Sequence, residues 1–123
     1  MKSRREVHRA ITPRLIAEGW KSPDTYDLHF ASAGNIPAVY LFLLTDAETF
    51  DEVRVGYVGM STQLRTRWAN HEILSSIRAD KRFWVKRWFL PTIADDLRRV
   101  EAEYIRHFDP PWNIVGRVRG IVA

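Results

Sequence analysis

The segment AVYLFLL, from Ala38 to Leu44, is the longest uninterrupted apolar run in the chain and constrains the fold most. A membrane-spanning helix takes about 20 apolar residues, so this run is far too short to cross a bilayer and reads as a buried strand. A second strand candidate, Val53 to Val58, follows the stretch TDAETFDE. Its Asp46, Glu48, Asp51 and Glu52 mark an exposed hairpin connection. KRFWVKRWFLPT, residues 81–92, alternates as a third strand, with Phe83, Val85 and Trp88 as its buried positions and Pro91 ending it.

Between the second and third strands the pattern predicts a helix starting at Ser61 or Thr62, either able to cap it. Its apolar positions Leu64, Trp68, Leu74 and Ile77 are loosely spaced for one buried face. The last predicted element is a helix over IADDLRRVEAEYIRHF. Asp95 and Asp96 complement the helix dipole at its start, and Pro110–Pro111 stop it. Near the N-terminus, residues 3–18 have the pattern of a basic helix capped by Ser3 and ending before Gly19, with Pro13 set to break or kink it. Residues 19–36 carry turn-forming clusters and read as loop. This order predicts an α+β fold: a small three-stranded antiparallel β-sheet flanked by helices. A basic, partly helical N-terminal extension, 1–35, precedes the main domain at 36–123.

A chain of 123 residues is one domain's worth. It has no cysteine, which excludes disulfides, Cys-ligated zinc and thiol chemistry and suits a reducing cytoplasm, the expected location. The N-terminus is basic but lacks the apolar segment of a signal peptide, and no membrane partner is expected. A net charge of +4 and a pI near 9.8 lean weakly towards polyanionic partners.

Three features carry chemistry. On the last helix, Leu97, Val100, Tyr104, Ile105 and Phe108 form an apolar stripe, and Glu101 falls inside it. Glu103, about 200° round the helix at ~100° per residue, joins Arg99 and Arg106 on the polar face. A carboxylate aimed at a core needs a charge, donors or a metal; the plainer reading is a partner for a structural arginine, the sharper one a metal ligand or catalytic group. Arg67 and His71, four residues apart, share a face of the predicted helix. They are either solvated helix charges or a phosphate site in which arginine supplies a planar donor fork and histidine relays a proton. Tyr40 and Tyr57 sit one in each hairpin strand, where tyrosine is also common for packing alone. Gly56 and Gly59 flank Tyr57 and mark either turns or a close approach. The cations Lys81, Arg82, Lys86 and Arg87 of KRFWVKRWF belong to an amphipathic strand, or to a phosphate-contacting rim.

Together these residues resemble the GIY-YIG nuclease superfamily. AVY at 38–40 and YVG at 57–59 match its paired tripeptides. Arg67 follows the second tyrosine by ten residues, His71 stands four further on, and VEAEYIRHFDPPWN supplies Glu101, Pro110 and Asn113. The likeness spans roughly residues 36–115. It departs at Ala38, which replaces the first glycine, and at Met60, where relatives carry lysine or another polar residue. The resemblance implies a DNA endonuclease that uses one divalent metal, Mg²⁺ or Mn²⁺, bound by Glu101, and no small-molecule cofactor. Either Tyr40 or Tyr57 activates water with help from His71, Arg67 stabilises the phosphate, and Asn113 holds the geometry. The products are 5′-phosphate and 3′-hydroxyl ends. Arg65, Lys81, Arg82, Lys86 and Arg87 are the expected contacts to the DNA backbone. One such site cuts one strand, so a double-strand break requires a homodimer or a second nick. The alternative is an inactive nucleic-acid-binding module of the same fold.

Overall fold

All seven residues from Ala38 to Leu44 are buried because their strand lies in the middle of a sheet covered on both faces. The computed structural model describes residues 11–25 and 30–113. Its elements are α1 (Ile11–Ala17), β1 (Ala38–Asp46), β2 (Glu52–Ser61), α2 (Leu64–Ala69), α3 (Glu72–Ala79), β3 (Phe83–Pro91) and, after a 3₁₀ turn at Ala94–Asp96, α4 (Leu97–Phe108). The strands are antiparallel in the order β2-β1-β3, which makes this an α+β fold with one open three-stranded sheet.

Side chains alternate across a strand, so β1 feeds two cores. Tyr40, Phe42 and Leu44 face α2 and α3, packing with Leu64, Trp68, Leu74 and Ile77. Val39, Leu41 and Leu43 face α1 and α4, packing with Leu15, Trp20, Trp88 and Leu97. An apolar run without alternation is what a strand buried on both sides requires. In β2, a bulge between Phe42/Leu43 and their partners leaves Gly56 unpaired. This slip keeps Tyr57 opposite Phe42 on the first face while turning Val55 to the second.

Four expectations change. The helix expected from Ser61 or Thr62 is two helices, α2 and α3, broken at Asn70–His71. The buried positions of β3 are Trp88 and Phe89, one on each face, while Phe83 and Val85 are half-buried, because β3 is also sandwiched. Pro13 does not break α1: it lies in the first turn, where its missing N–H has no helical partner to lose. Residues 3–10 of that basic segment lie outside the described part. Leu15 and Trp20, placed by the sequence in an appended extension, are wholly buried in the second core, so residues 11–25 are integral to the fold.

The connection at 19–36 contains no named helix or strand among its described residues, as its composition predicted, but it shields an edge. Lys21 exchanges two backbone hydrogen bonds with Phe89, at 2.9 and 2.8 Å, and Asp24 accepts one from the Arg87 N–H at 2.8 Å. The outer rim of β3 is thereby partly closed to further strand pairing. Among the described residues, no helix is long and apolar enough to cross a membrane.

Candidate active site

The register decides which polar groups meet. Tyr40 of β1 lies opposite Gly59 of β2, and the Tyr40 ring runs across that glycine. A methyl group at Gly59 would stand 2.6 Å from the Tyr40 hydroxyl oxygen and 2.8 Å from Cε1 of Tyr57. Gly59 is therefore required for space. The two phenol rings sit side by side, with centroids 6.2 Å apart.

His71 closes over them from the helical layer. Its ring stands edge-on to Tyr40, Phe42 and Tyr57, with centroids 5.5, 5.0 and 5.1 Å away. The break between α2 and α3 produces this placement. His71 caps α3, with Nδ1 accepting from the Leu74 N–H at 3.2 Å, while Nε2 lies 2.8 Å from the Tyr40 hydroxyl. Burial and the nearby Arg67 charge push its pKa down to about 4, so the ring is neutral at pH 7.

Arg67, half-buried near the end of α2, faces the same cluster. Its Nη1 is fixed on the Asn70 carbonyl at 3.2 Å, and its charge favours ionisation of both phenols. Burial dominates nonetheless and raises the pKa of Tyr40 and Tyr57 alike; the Glu101 charge raises both further.

Glu101 enters from α4, whose stripe of Leu97, Val100, Tyr104, Ile105 and Phe108 packs into the second core. Its carboxylate is half-buried, and burial pushes its pKa up against a smaller opposing pull from Arg98. Among the described residues it has no ion pair and no hydrogen-bond donor, unlike Glu103, which is exposed and paired with Arg99 at 3.1 Å. The structural-arginine explanation for Glu101 thus finds no arginine bonded to it among those residues. No group of three or more His, Asp or Glu side chains is poised to hold a metal among the described residues. A single poorly compensated carboxylate suits a hard cation that draws its remaining oxygen ligands from water and substrate.

Asn113 is buried away from the phenols and grips the outer edge of β2. Its amide accepts from the Val58 N–H and donates to the Val58 carbonyl, both at 2.7 Å. This pair of hydrogen bonds substitutes for a neighbouring strand and fixes the residue next to Tyr57.

The structure brings Tyr40, Tyr57, Arg67 and His71 together, sets Glu101 on α4 where its charge still acts on both phenols, and holds Asn113 on the edge of β2. The cations expected to contact DNA are dispersed. Arg65 is exposed on α2 and lines a cleft of about 580 Å³ with Trp68, Arg78 and Arg87. Arg87 is held by Asp24 at 2.8 and 3.0 Å and lies over the Trp68 ring, a largely structural setting. Lys86 borders a separate pocket with Trp84 and Phe50, while Lys81 and Arg82 lie at the far end of the sheet, Arg82 paired with Asp80 at 2.7 Å. Sequence reasoning missed Asp24, because a lone acid in a loop carries no sign of a partner 63 residues away. Trp68, which stands edge-on to Tyr40, reads in the sequence only as core. Comparison with family models, with curated proteins and with solved structures finds no match.

Proposed function

We propose that the protein is a GIY-YIG-type, divalent-metal-dependent endonuclease that hydrolyses DNA to 5′-phosphate and 3′-hydroxyl ends. The observation that carries this reading is the cluster of two phenols, one arginine and one neutral histidine from β1, β2, α2 and the head of α3, with the poorly compensated Glu101 carboxylate of α4 near enough for its charge to act on both phenols. A module that only bound nucleic acid would have no use for a half-buried Glu101 whose negative charge acts on two phenols.

Glu101 is the group suited to hold Mg²⁺ or Mn²⁺, which when bound supplies positive charge against the scissile phosphate. The chain's own residues do the rest. Arg67 presents planar N–H donors to non-bridging oxygens, where negative charge builds. A phenol orients the attacking water. The water oxygen bonds to phosphorus, the bond to the 3′-oxygen breaks, and that oxygen leaves with a proton. Free phenols ionise near pH 10 and burial raises both of these further, so proton removal depends on positive charge brought by Arg67 and the substrate-bound cation. Asn113 keeps β2 in register, and the exposed Arg65 beside its cleft offers a backbone contact that weakens with salt.

Relaxation of supercoiled plasmid in Mg²⁺, abolished by EDTA and suppressed by added salt, is the expected result. Salt-sensitive DNA binding without cleavage of plasmid, branched or single-stranded DNA would replace this reading with the binding module.

A further inference from the structure

Resting on that reading, the hydrogen bonds around His71 decide a question that residue types leave open: which way the protons point. In a neutral imidazole one nitrogen carries hydrogen and the other accepts. Here Nδ1 receives the Leu74 N–H, and a backbone amide is only ever a donor. The hydrogen of His71 must therefore sit on Nε2, the nitrogen 2.8 Å from the Tyr40 oxygen.

We infer that the chain Leu74 N–H, His71, Tyr40 runs in one direction, with His71 donating to Tyr40 as a positioning residue and Tyr57 as the phenol that meets the attacking water. The choice between the phenols follows from His71 on one side of Tyr40 and from burial. Its oxygen accepts from His71 Nε2, which leaves His71 as its one side-chain hydrogen-bond partner among the described residues. Tyr40 is 1% exposed and so is closed to bulk water. Tyr57, on the neighbouring strand, is only half-buried and is the phenol that solvent can reach. A relay in which His71 withdraws the Tyr40 proton would need Nε2 bare, hence hydrogen on Nδ1 facing the Leu74 N–H. Two donors would then oppose each other inside a buried cap, which the fold disfavours.

The first test reads wild-type protein and needs no activity. Protein labelled with ¹⁵N-histidine is examined at pH 7 by long-range ¹H–¹⁵N correlation, the His71 signals being assigned by their loss in His71→Gln. A protonated Nε2 with an unprotonated Nδ1 is expected; the reverse tautomer, or a doubly protonated ring, overturns the inference. The second test compares nicking rates. Tyr57→Phe is expected to lose about 100-fold or more and Tyr40→Phe about tenfold. His71→Gln, which keeps an N–H donor but cannot take up a proton, is expected to stay within about tenfold of wild type. A larger loss in Tyr40→Phe than in Tyr57→Phe, or a loss of about 100-fold in His71→Gln with folding intact, overturns it. A wild-type protein that nicks nothing refutes the proposed function, and the tautomer reading alone then decides the hydrogen-bond direction.

Discussion

The Asn113 side chain closes both backbone hydrogen bonds of Val58, each at 2.7 Å, and so acts as a one-residue strand on the open edge of β2. It sits directly beside the residue whose phenol faces the candidate site. Removing it leaves a buried N–H and a buried carbonyl unsatisfied, each worth about 1–3 kcal/mol. Asn113→Ala should therefore destabilise the protein by about 2–4 kcal/mol in urea unfolding and slow nicking through displaced geometry. Asn113→Asp, which keeps the acceptor but sets a carboxylate against the Val58 carbonyl, should fail similarly. Wild-type stability in either variant would contradict the edge-strand role.

Gly59→Ala places a methyl group 2.6 Å from the Tyr40 hydroxyl, closer than real contacts allow. Tyr40 or β2 must move, at a cost of about 1–3 kcal/mol as in other overpacked cores. The expected outcome is a folded protein with nicking reduced by at least about tenfold. Gly34→Ala meets only the Ile36 Cγ2 at 3.5 Å and should be silent in both assays.

Arg67 and Arg65 are two residues apart and should behave as different kinds of cation. Arg67 faces both phenols and His71, and its loss removes donors from the developing charge. Arg67→Ala should cost about 10²–10³-fold in the cleavage rate, and Arg67→Lys should recover little because the planar fork is gone. Arg65, exposed beside its cleft, should affect binding only. Arg65→Ala should lower the slope of log affinity against log salt by about 1, with single-turnover cleavage nearly unchanged.

His71 also couples stability to pH. Its folded pKa of about 4 lies below its ordinary value of 6.5, so between those pH values the unfolded chain binds more protons. The resulting stabilisation is complete above pH 6.5 and is lost as pH falls towards 4, to a limit on the order of 3 kcal/mol. Urea midpoints measured from pH ~7.5 to ~4.5, a range that covers most of this window, should fall more steeply for wild type than for His71→Gln. Parallel curves would mean that His71 is readily protonated in the fold.

Much of the fold is legible because it rests on local signals. The run at Ala38–Leu44 can only be a buried strand, and the acidic stretch after it can only be a connection. The stripe on α4 separates Glu101 from Glu103 by helical spacing alone. What escapes the sequence depends on partners distant in the chain. The break between α2 and α3 has no proline or glycine to announce it; it is made by His71 turning its ring into the core while capping Leu74. The alternation in β3 suggests one buried face, yet Trp88 and Phe89 are both covered because helices lie on both sides of the sheet. Arg87 reads as a free cation, whereas in the fold Asp24 closes on it.

The central claim is that Glu101 serves the reaction while Glu103 is an exposed partner of Arg99. The most direct measurement is Mg²⁺-dependent nicking of supercoiled plasmid by Glu101→Ala and Glu103→Ala, with folding checked by circular dichroism. Glu101→Ala is expected to be folded and inactive, and Glu103→Ala to cut at the wild-type rate, since an exposed pair contributes under about 1 kcal/mol. Equal activity in the two variants, or loss confined to Glu103→Ala, would contradict it.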